Sequence, residues 1–249
     1  MNAETALLLG GGRALLLQLA HPMVAAGVAD HGDFLRDPFG RLANTLDLTL
    51  TVAFGDEEQR GAAAARVAET HRRVTGARDG RVYRALDPDL LVWVHATIVD
   101  SALVAYKRFV GSIDAAARER YHTEMKGQAT VFGVPGDRLP PSLEDFRAYV
   151  AEMVATLVVT DEARRLAAGV LRPHVPVALR PAFGAMAFVT TGLLPDRIRA
   201  AYGLPWSPVN ERMLLTAAAA IRATRPLLPD RLRRWPHARD ADLRLERRT

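Results

Sequence analysis

Apolar residues recur three and four positions apart from Ala14 to Val28, the spacing that gathers side chains on one face of an α-helix, with Pro22 set to bend or restart it. Gly27 to Pro38 reads as a connector. A second helix runs from Arg41 to Phe54 and stops near Gly55, and a third, visibly amphipathic, runs from Glu57 to Val74 and stops at Gly76. Asp79-Gly80 marks a turn. Asp87-Pro88 opens the most apolar stretch, Asp89 to Val110, with proline at a favoured first-turn position. Asp100 is the only charge between Leu90 and Leu103, so this helix is expected at the centre of the core.

Further helices are predicted over Ala115–Phe132, Leu143–Val158, Asp161–Leu171, Pro176–Thr191, Pro195–Tyr202 and Val209–Thr224. Ser142 followed by Leu-Glu-Asp has the form of an N-cap with acidic residues in the first turn. The proline-containing stretches at 135–141, 173–181 and 203–208 separate packed helices rather than domains. The 249 residues are 49% hydrophobic but only 6% aromatic, and Ala, Leu, Val and Arg dominate, so helix formers outnumber sheet formers. The expectation is an all-α, single-domain helical bundle over residues 1–249, with a basic C-terminal tail from about residue 231.

Charge and composition narrow the partners. The net charge is +5 and the isoelectric point near 10.0, yet acidic residues are scattered through nearly every charged segment. Arginine is densest from Arg231 to Arg248, where no aromatic interleaving supplies a base-stacking surface. That segment reads as a solvated end, and no nucleic-acid partner is expected. The absence of cysteine excludes disulfides, thiolate catalysis, thiolate-ligated haem and Cys-based zinc or iron–sulfur sites. The N-terminal apolar stretch lacks a basic leader and is split by Gly10-Gly11-Gly12-Arg13, so it does not read as a secretory signal. The longest uncharged apolar run, Ala182 to Pro195, is too short for a transmembrane segment. A soluble, cytoplasmic protein is expected.

Gly10-Gly11-Gly12 fits neither a dinucleotide fingerprint nor a phosphate-binding loop, and reads as a flexible turn into a helix over Arg13–Ala20. No serine-hydrolase elbow, His-Glu-x-x-His zinc helix or calcium loop occurs. Glu119-Arg120-Tyr121-His122 supplies one Glu-x-x-His copy where a di-iron carboxylate bundle needs two, and His122 is assigned to a solvated face.

Three other histidines lie on apolar faces. His71 shares one with Ala64, Val67, Ala68 and Val74, which makes it either a core histidine bonded to a carbonyl or a ligand. His95, in Trp93-Val94-His95-Ala96-Thr97, joins Leu91, Ile98, Val99 and Ala102, where an imidazole must find a partner or titrate toward neutrality. His21 lies one turn after Leu17 and just before Pro22, placed either to approach a cofactor or to cap carbonyls freed by the bend. Arg41 and Thr45, four apart, project on one side and can converge on an anionic or oxygen-rich group such as a carboxylate.

Several ordered motifs resemble a known family. These are Gln18-Leu19-Ala20-His21-Pro22, Asp37-Pro38-Phe39-Gly40-Arg41-Leu42-Ala43-Asn44-Thr45, Leu86-Asp87-Pro88-Asp89-Leu90-Leu91-Val92-Trp93-Val94-His95-Ala96-Thr97 and Leu204-Pro205-Trp206-Ser207. They are similar to the domain shared by bacterial rubber oxygenases (latex-clearing proteins) and the MpaB-type oxygenase of mycophenolic-acid biosynthesis. The resemblance implies a globin-like helical bundle that holds haem b through a histidine and cleaves carbon–carbon double bonds with dioxygen. In the rubber oxygenases an Arg-x-x-x-Thr motif precedes the haem-ligating histidine; Arg41 and Thr45 reproduce it, and the next position in order falls on His71. His71 is thereby the implied iron ligand, with Arg41 and Thr45 holding propionates or a polar network, His21 lining the distal side, and His95 a supporting partner or rival ligand.

The chain is shorter than the rubber oxygenases, and neither a secretory signal nor a membrane anchor like the fungal relative's is expected in it; since most bacterial members of the family are uncharacterised, a long polyisoprene substrate is not carried over. The resulting expectation is a haem-dependent oxygenase acting with dioxygen on a small, unsaturated apolar substrate. A haem or gas-binding protein without turnover, and a cofactor-free helical ligand-binding or interaction protein, are the two alternatives.

Overall fold

The computed structural model describes residues 1–31 and 38–247, the side chains of residues 38–43 excepted. The protein is all-α. A 3-10 turn over Thr5–Gly10 leads into α1 (Gly11–Leu19), followed by α2 (Pro22–His31), α3 (Pro38–Phe54) and α4 (Glu57–Arg72). A hairpin of β1 (Thr75–Arg78) and β2 (Arg81–Arg84) precedes α5 (Pro88–Phe109) and α6 (Ala115–Val131). Then come α7 (Leu143–Thr156), α8 (Asp161–Leu171), α9 (Arg180–Leu193), α10 (Asp196–Ala201), α11 (Pro208–Thr224), α12 (Asp230–Arg233) and α13 (Pro236–Glu246).

The central helix of the sequence reading is α5. The Asp87 side chain caps it by accepting from the Asp89 amide at 2.9 Å, and Pro88 opens its first turn. It is long and apolar enough to cross a bilayer, but Trp93, Val99, Ala105 and Phe109 are fully buried against protein. Its principal neighbour is α1. Trp93 donates to the Leu17 carbonyl at 3.1 Å, and Gln18 donates to the Thr97 hydroxyl at 3.0 Å. Leu16, Leu17 and Leu19 fill the space between, in a cluster that extends to Phe146, Leu166 and Ile198.

The glycine run is a close-packing device, contrary to the flexible turn expected of it. A Cβ on Gly10 would lie 2.8 Å from the Ser101 carbonyl, and one on Gly12 would overlap the Thr190 hydroxyl. Glycine therefore lets the start of α1 press against both α5 and α9, and Gly11 and Gly12 are already helical. The turn at Asp79-Gly80 is also more than a turn. Both residues have positive φ, 51° and 74°, the conformation of a two-residue hairpin that pairs Thr75 with Arg84 and Arg78 with Arg81. Tyr83 anchors the hairpin by donating to Asp30 at 2.6 Å, while Arg78 pairs with Asp30 and with Glu162 on α8.

The basic C-terminal segment is folded, where a solvated end was expected. Ala238 is buried, α13 packs on α3, and Arg244 donates to the Phe54 carbonyl. The segment also meets residues 3–5. Trp235 donates its amide to the Ala3 carbonyl at 3.0 Å, Thr5 donates to the Leu232 carbonyl at 2.8 Å, and Arg225 pairs with Glu4.

The glycine contact has a measurable consequence. Gly12→Ala should lower stability by about 2 kcal/mol, because overpacking outweighs the better helix propensity of alanine. In a Thr190→Ala background the same change should cost less, since the overlapping hydroxyl is gone. Denaturant unfolding of the four chains checks this; equal costs in both backgrounds would place the strain elsewhere.

Candidate functional site

The helical pair α3 and α4 is built around Gly55-Asp56. Asp56 accepts from the Gln59 amide at 2.9 Å while the Gln59 side chain accepts from the Asp56 amide at 3.1 Å, a reciprocal cap that fixes where α4 starts. Arg66 then donates to the Asn44 side chain at 2.9 Å, which sets the antiparallel register of the pair. That register sets Asn44 of α3 beside Arg66, five residues before His71 on α4. The Arg41 side chain lies outside the described residues. Thr45 is exposed, and its carbonyl accepts from the Thr49 hydroxyl at 2.8 Å.

His71 faces inward as its spacing predicts: Ala64, Val67, Ala68, His71 and Val74 are all partly buried while Ala65, Arg66, Glu69 and Thr70 are exposed. Its Nδ1 is enclosed without a hydrogen-bond partner, and neither ring nitrogen bonds to a described residue. Burial holds its pKa below the ordinary histidine value, so the ring is neutral near pH 7. A neutral imidazole not committed to the protein is the donor that iron and other borderline metals take.

His95 occupies the other side of α5 from α1. It stands two residues from both Trp93 and Thr97, about 200° around the helix, and so turns toward α6. Burial, assisted by neighbouring His122, pushes its pKa down to about 4. His122 corrects the sequence reading, being 3% exposed rather than solvated. Its ring centroid is 5.3 Å from that of Phe146, its Nδ1 has no partner, and burial, with Lys126 nearby, lowers its pKa against the pull of Glu119. The signal was present in the spacing of His122, Met125 and Ala129, all buried, but Glu124 and Lys126 between them masked it.

His21 stands where the chain bends by 101° between the Thr5–Leu19 segment and α2. Its Nδ1 accepts from the Met23 amide at 3.2 Å, so it caps an N–H at the start of α2 and not the carbonyls at the end of α1. Burial lowers its pKa and Asp87 partly offsets this. The structure therefore sets His21 on the α1 side of α5 and His95 on the opposite side.

No three His, Asp or Glu side chains gather into a metal-binding group among the described residues. His71 and His95 each present a single imidazole, the number of protein donors that a porphyrin-held iron requires.

A profile of the family described as "ER-bound oxygenase mpaB/B'/Rubber oxygenase, catalytic domain" matches residues 1–235. An uncharacterised protein of Mycobacterium bovis and one of Mycobacterium tuberculosis are each 28% identical over 224 residues, covering 87% of this chain and 88% of theirs. No solved structure matches.

The depressed pKa of His95 makes stability pH-dependent. Above pH 6.5 the residue is neutral folded and unfolded and contributes no slope; from there down to about 4 the unfolded chain binds the proton first, so acid destabilises the fold. The loss due to His95 should reach about 3 kcal/mol at the bottom of that window. His95→Gln should flatten the fall in unfolding free energy between pH 6.5 and 4. Parallel pH profiles for the two chains would contradict the burial argument.

Proposed function

We propose that this chain, which belongs to the mpaB and rubber oxygenase catalytic-domain family, is a haem-b-dependent oxygenase in which His71 ligates the iron. The observation that carries the assignment is the uncommitted, neutral imidazole of His71 on the inward face of α4. Bound haem iron supplies the activation of dioxygen that side chains alone do not provide. The protein's share is to hold a neutral imidazole toward the iron, to offer the Arg41 guanidinium to a propionate carboxylate, and to exclude water with apolar walls. Thr45, exposed on the next turn of α3, serves the polar rim.

His95 supports the site from α5. Its low pKa and His122 behind it keep that side of the core uncharged, which suits an apolar, unsaturated substrate. His21, committed to the Met23 amide, keeps the bend between α1 and α2 in place and is a positioning residue.

Purified after expression with sufficient iron and haem precursor, the chain should show a Soret band and about one iron per chain, and should consume dioxygen with an unsaturated apolar substrate. His71→Ala should lose the native haem spectrum and recover it with added imidazole, while folded His95→Ala retains it. The reverse pattern would make His95 the ligand. A haem spectrum without dioxygen-dependent product would leave a haem or gas-binding protein, and absence of haem after reconstitution would leave a cofactor-free one.

A further inference from the structure

The Leu204-Pro205-Trp206-Ser207 segment has no part in the histidine region, yet it builds one wall of an open cleft of about 800 Å³. The opposite wall is the C-terminal half of α5, including Val104 and Arg108, and α10 contributes Arg199. Arg108 lies about 20 Å along α5 from His95 at the helical rise per residue, and none of His21, His71 and His95 lines the cleft. Its volume falls in the range of small-molecule pockets, about 300–1,000 Å³.

Trp206 is seated deliberately. A Cβ on Gly192 would meet its ring at 2.5 Å, and Phe188 stacks against it at 5.0 Å. The Arg199 guanidinium lies 5.2 Å from the ring centroid on its face, and Arg199 is only 9% exposed. Its carboxylate partner, Asp196, is 93% exposed, so much of that negative charge is spent on water while the guanidinium stays inside. Arg108 is less committed still. Its one side-chain partner among the described residues is Glu211, an ion pair at 3.4 Å, longer than a usual hydrogen bond, and Glu211 also accepts from Trp206 Nε1 at 3.0 Å. Arg199 also donates through Nη1 to the Thr191 carbonyl at 3.5 Å, which leaves its Nε, and Nε and Nη2 of Arg108, without a partner among the described residues, beside an apolar surface formed by Val104, Leu204 and Trp206.

We propose that this cleft binds an apolar molecule bearing one carboxylate, with the carboxylate on Arg108 and Arg199 and the hydrocarbon against Val104, Leu204 and Trp206. A planar carboxylate matches the arginine fork. A single charge is preferred over a doubly charged phosphate monoester, because Glu211 and Asp196 already set two negative charges at the rim.

Isothermal titration calorimetry of the full chain with dodecanoate tests the assignment, with dodecanol as the uncharged arm and dodecyl phosphate as the doubly charged one. Saturable one-site binding of dodecanoate is expected, with both other ligands about tenfold weaker or worse. Arg108→Gln should weaken dodecanoate about tenfold at unchanged helicity, and Glu211→Gln should tighten it by removing the competing carboxylate. His71→Ala should bind as the parent does, so this result stands apart from haem binding. Dodecanol binding as tightly as dodecanoate, dodecyl phosphate binding more tightly, no saturable heat, or a folded Glu211→Gln chain that loses affinity would each overturn the proposal.

Discussion

One buried guanidinium fixes how the helices meet. Arg13 is 4% exposed, and its three nitrogens go to three partners: Nε to the Leu193 carbonyl at 2.8 Å, Nη1 to the Ser101 hydroxyl at 2.8 Å and Nη2 to Asp100 at 2.6 Å. It thereby joins α1, α5 and the end of α9. Breaking one partner out of such a buried pair costs about 3–5 kcal/mol, a large part of the total stability of a domain. The geometric effect matters as much as the energy. With Asp100 and Ser101 held toward α1, α5 has only one rotation available, and that rotation turns His95 toward α6 and Val104 and Arg108 toward the cleft. The glycines at 10 and 12 serve the same junction by letting the start of α1 come close enough for the arginine to reach.

Much of this was legible in the sequence because it is local. Helical spacing, the Asp87-Pro88 start, the Ser142 cap and the inward face of α4 all arise within one or two turns, and the structure reproduces each. Asp100 was conspicuous as the one charge in an apolar helix, but its partner stands 87 positions away and no periodicity points to it. The two strands were hidden because each is only four residues long and Thr-Gly-Ala-Arg carries little sheet preference; Tyr83 and its bond to Asp30 hold them in place. His122 was misplaced because charged neighbours dominate a helix whose buried face is narrow. The C-terminal arginines read as solvated because composition counts charges and does not see Ala238 or the Phe54 carbonyl.

The candidate site shows the same division. The apolar settings of His71 and His95 follow from spacing alone. What spacing omits is commitment: His21 is occupied by the Met23 amide, whereas His71 and His95 are not hydrogen-bonded to any described residue. Nor does spacing show that α3 and α4 run side by side in the register set by Arg66 and Asn44. Whether a histidine is already engaged is thus a tertiary property laid over a secondary-structure pattern, while the family match over residues 1–235 speaks to the chain as a whole.

The seam between residues 3–5 and residues 225–235 carries a consequence for biosynthesis. Its hydrogen bonds join positions 221 to 232 apart, so the N-terminal side of the seam leaves the ribosome long before its partners are made. At about 5–20 residues per second that interval lasts on the order of tens of seconds. Through it, the turn ahead of α1 must wait without the contacts that finally fasten it, although Arg13 and the leucines of α1 can already find α5. Completion of the fold is therefore a late, nearly whole-chain event, and the seam acts as the clasp that closes once translation has passed Trp235.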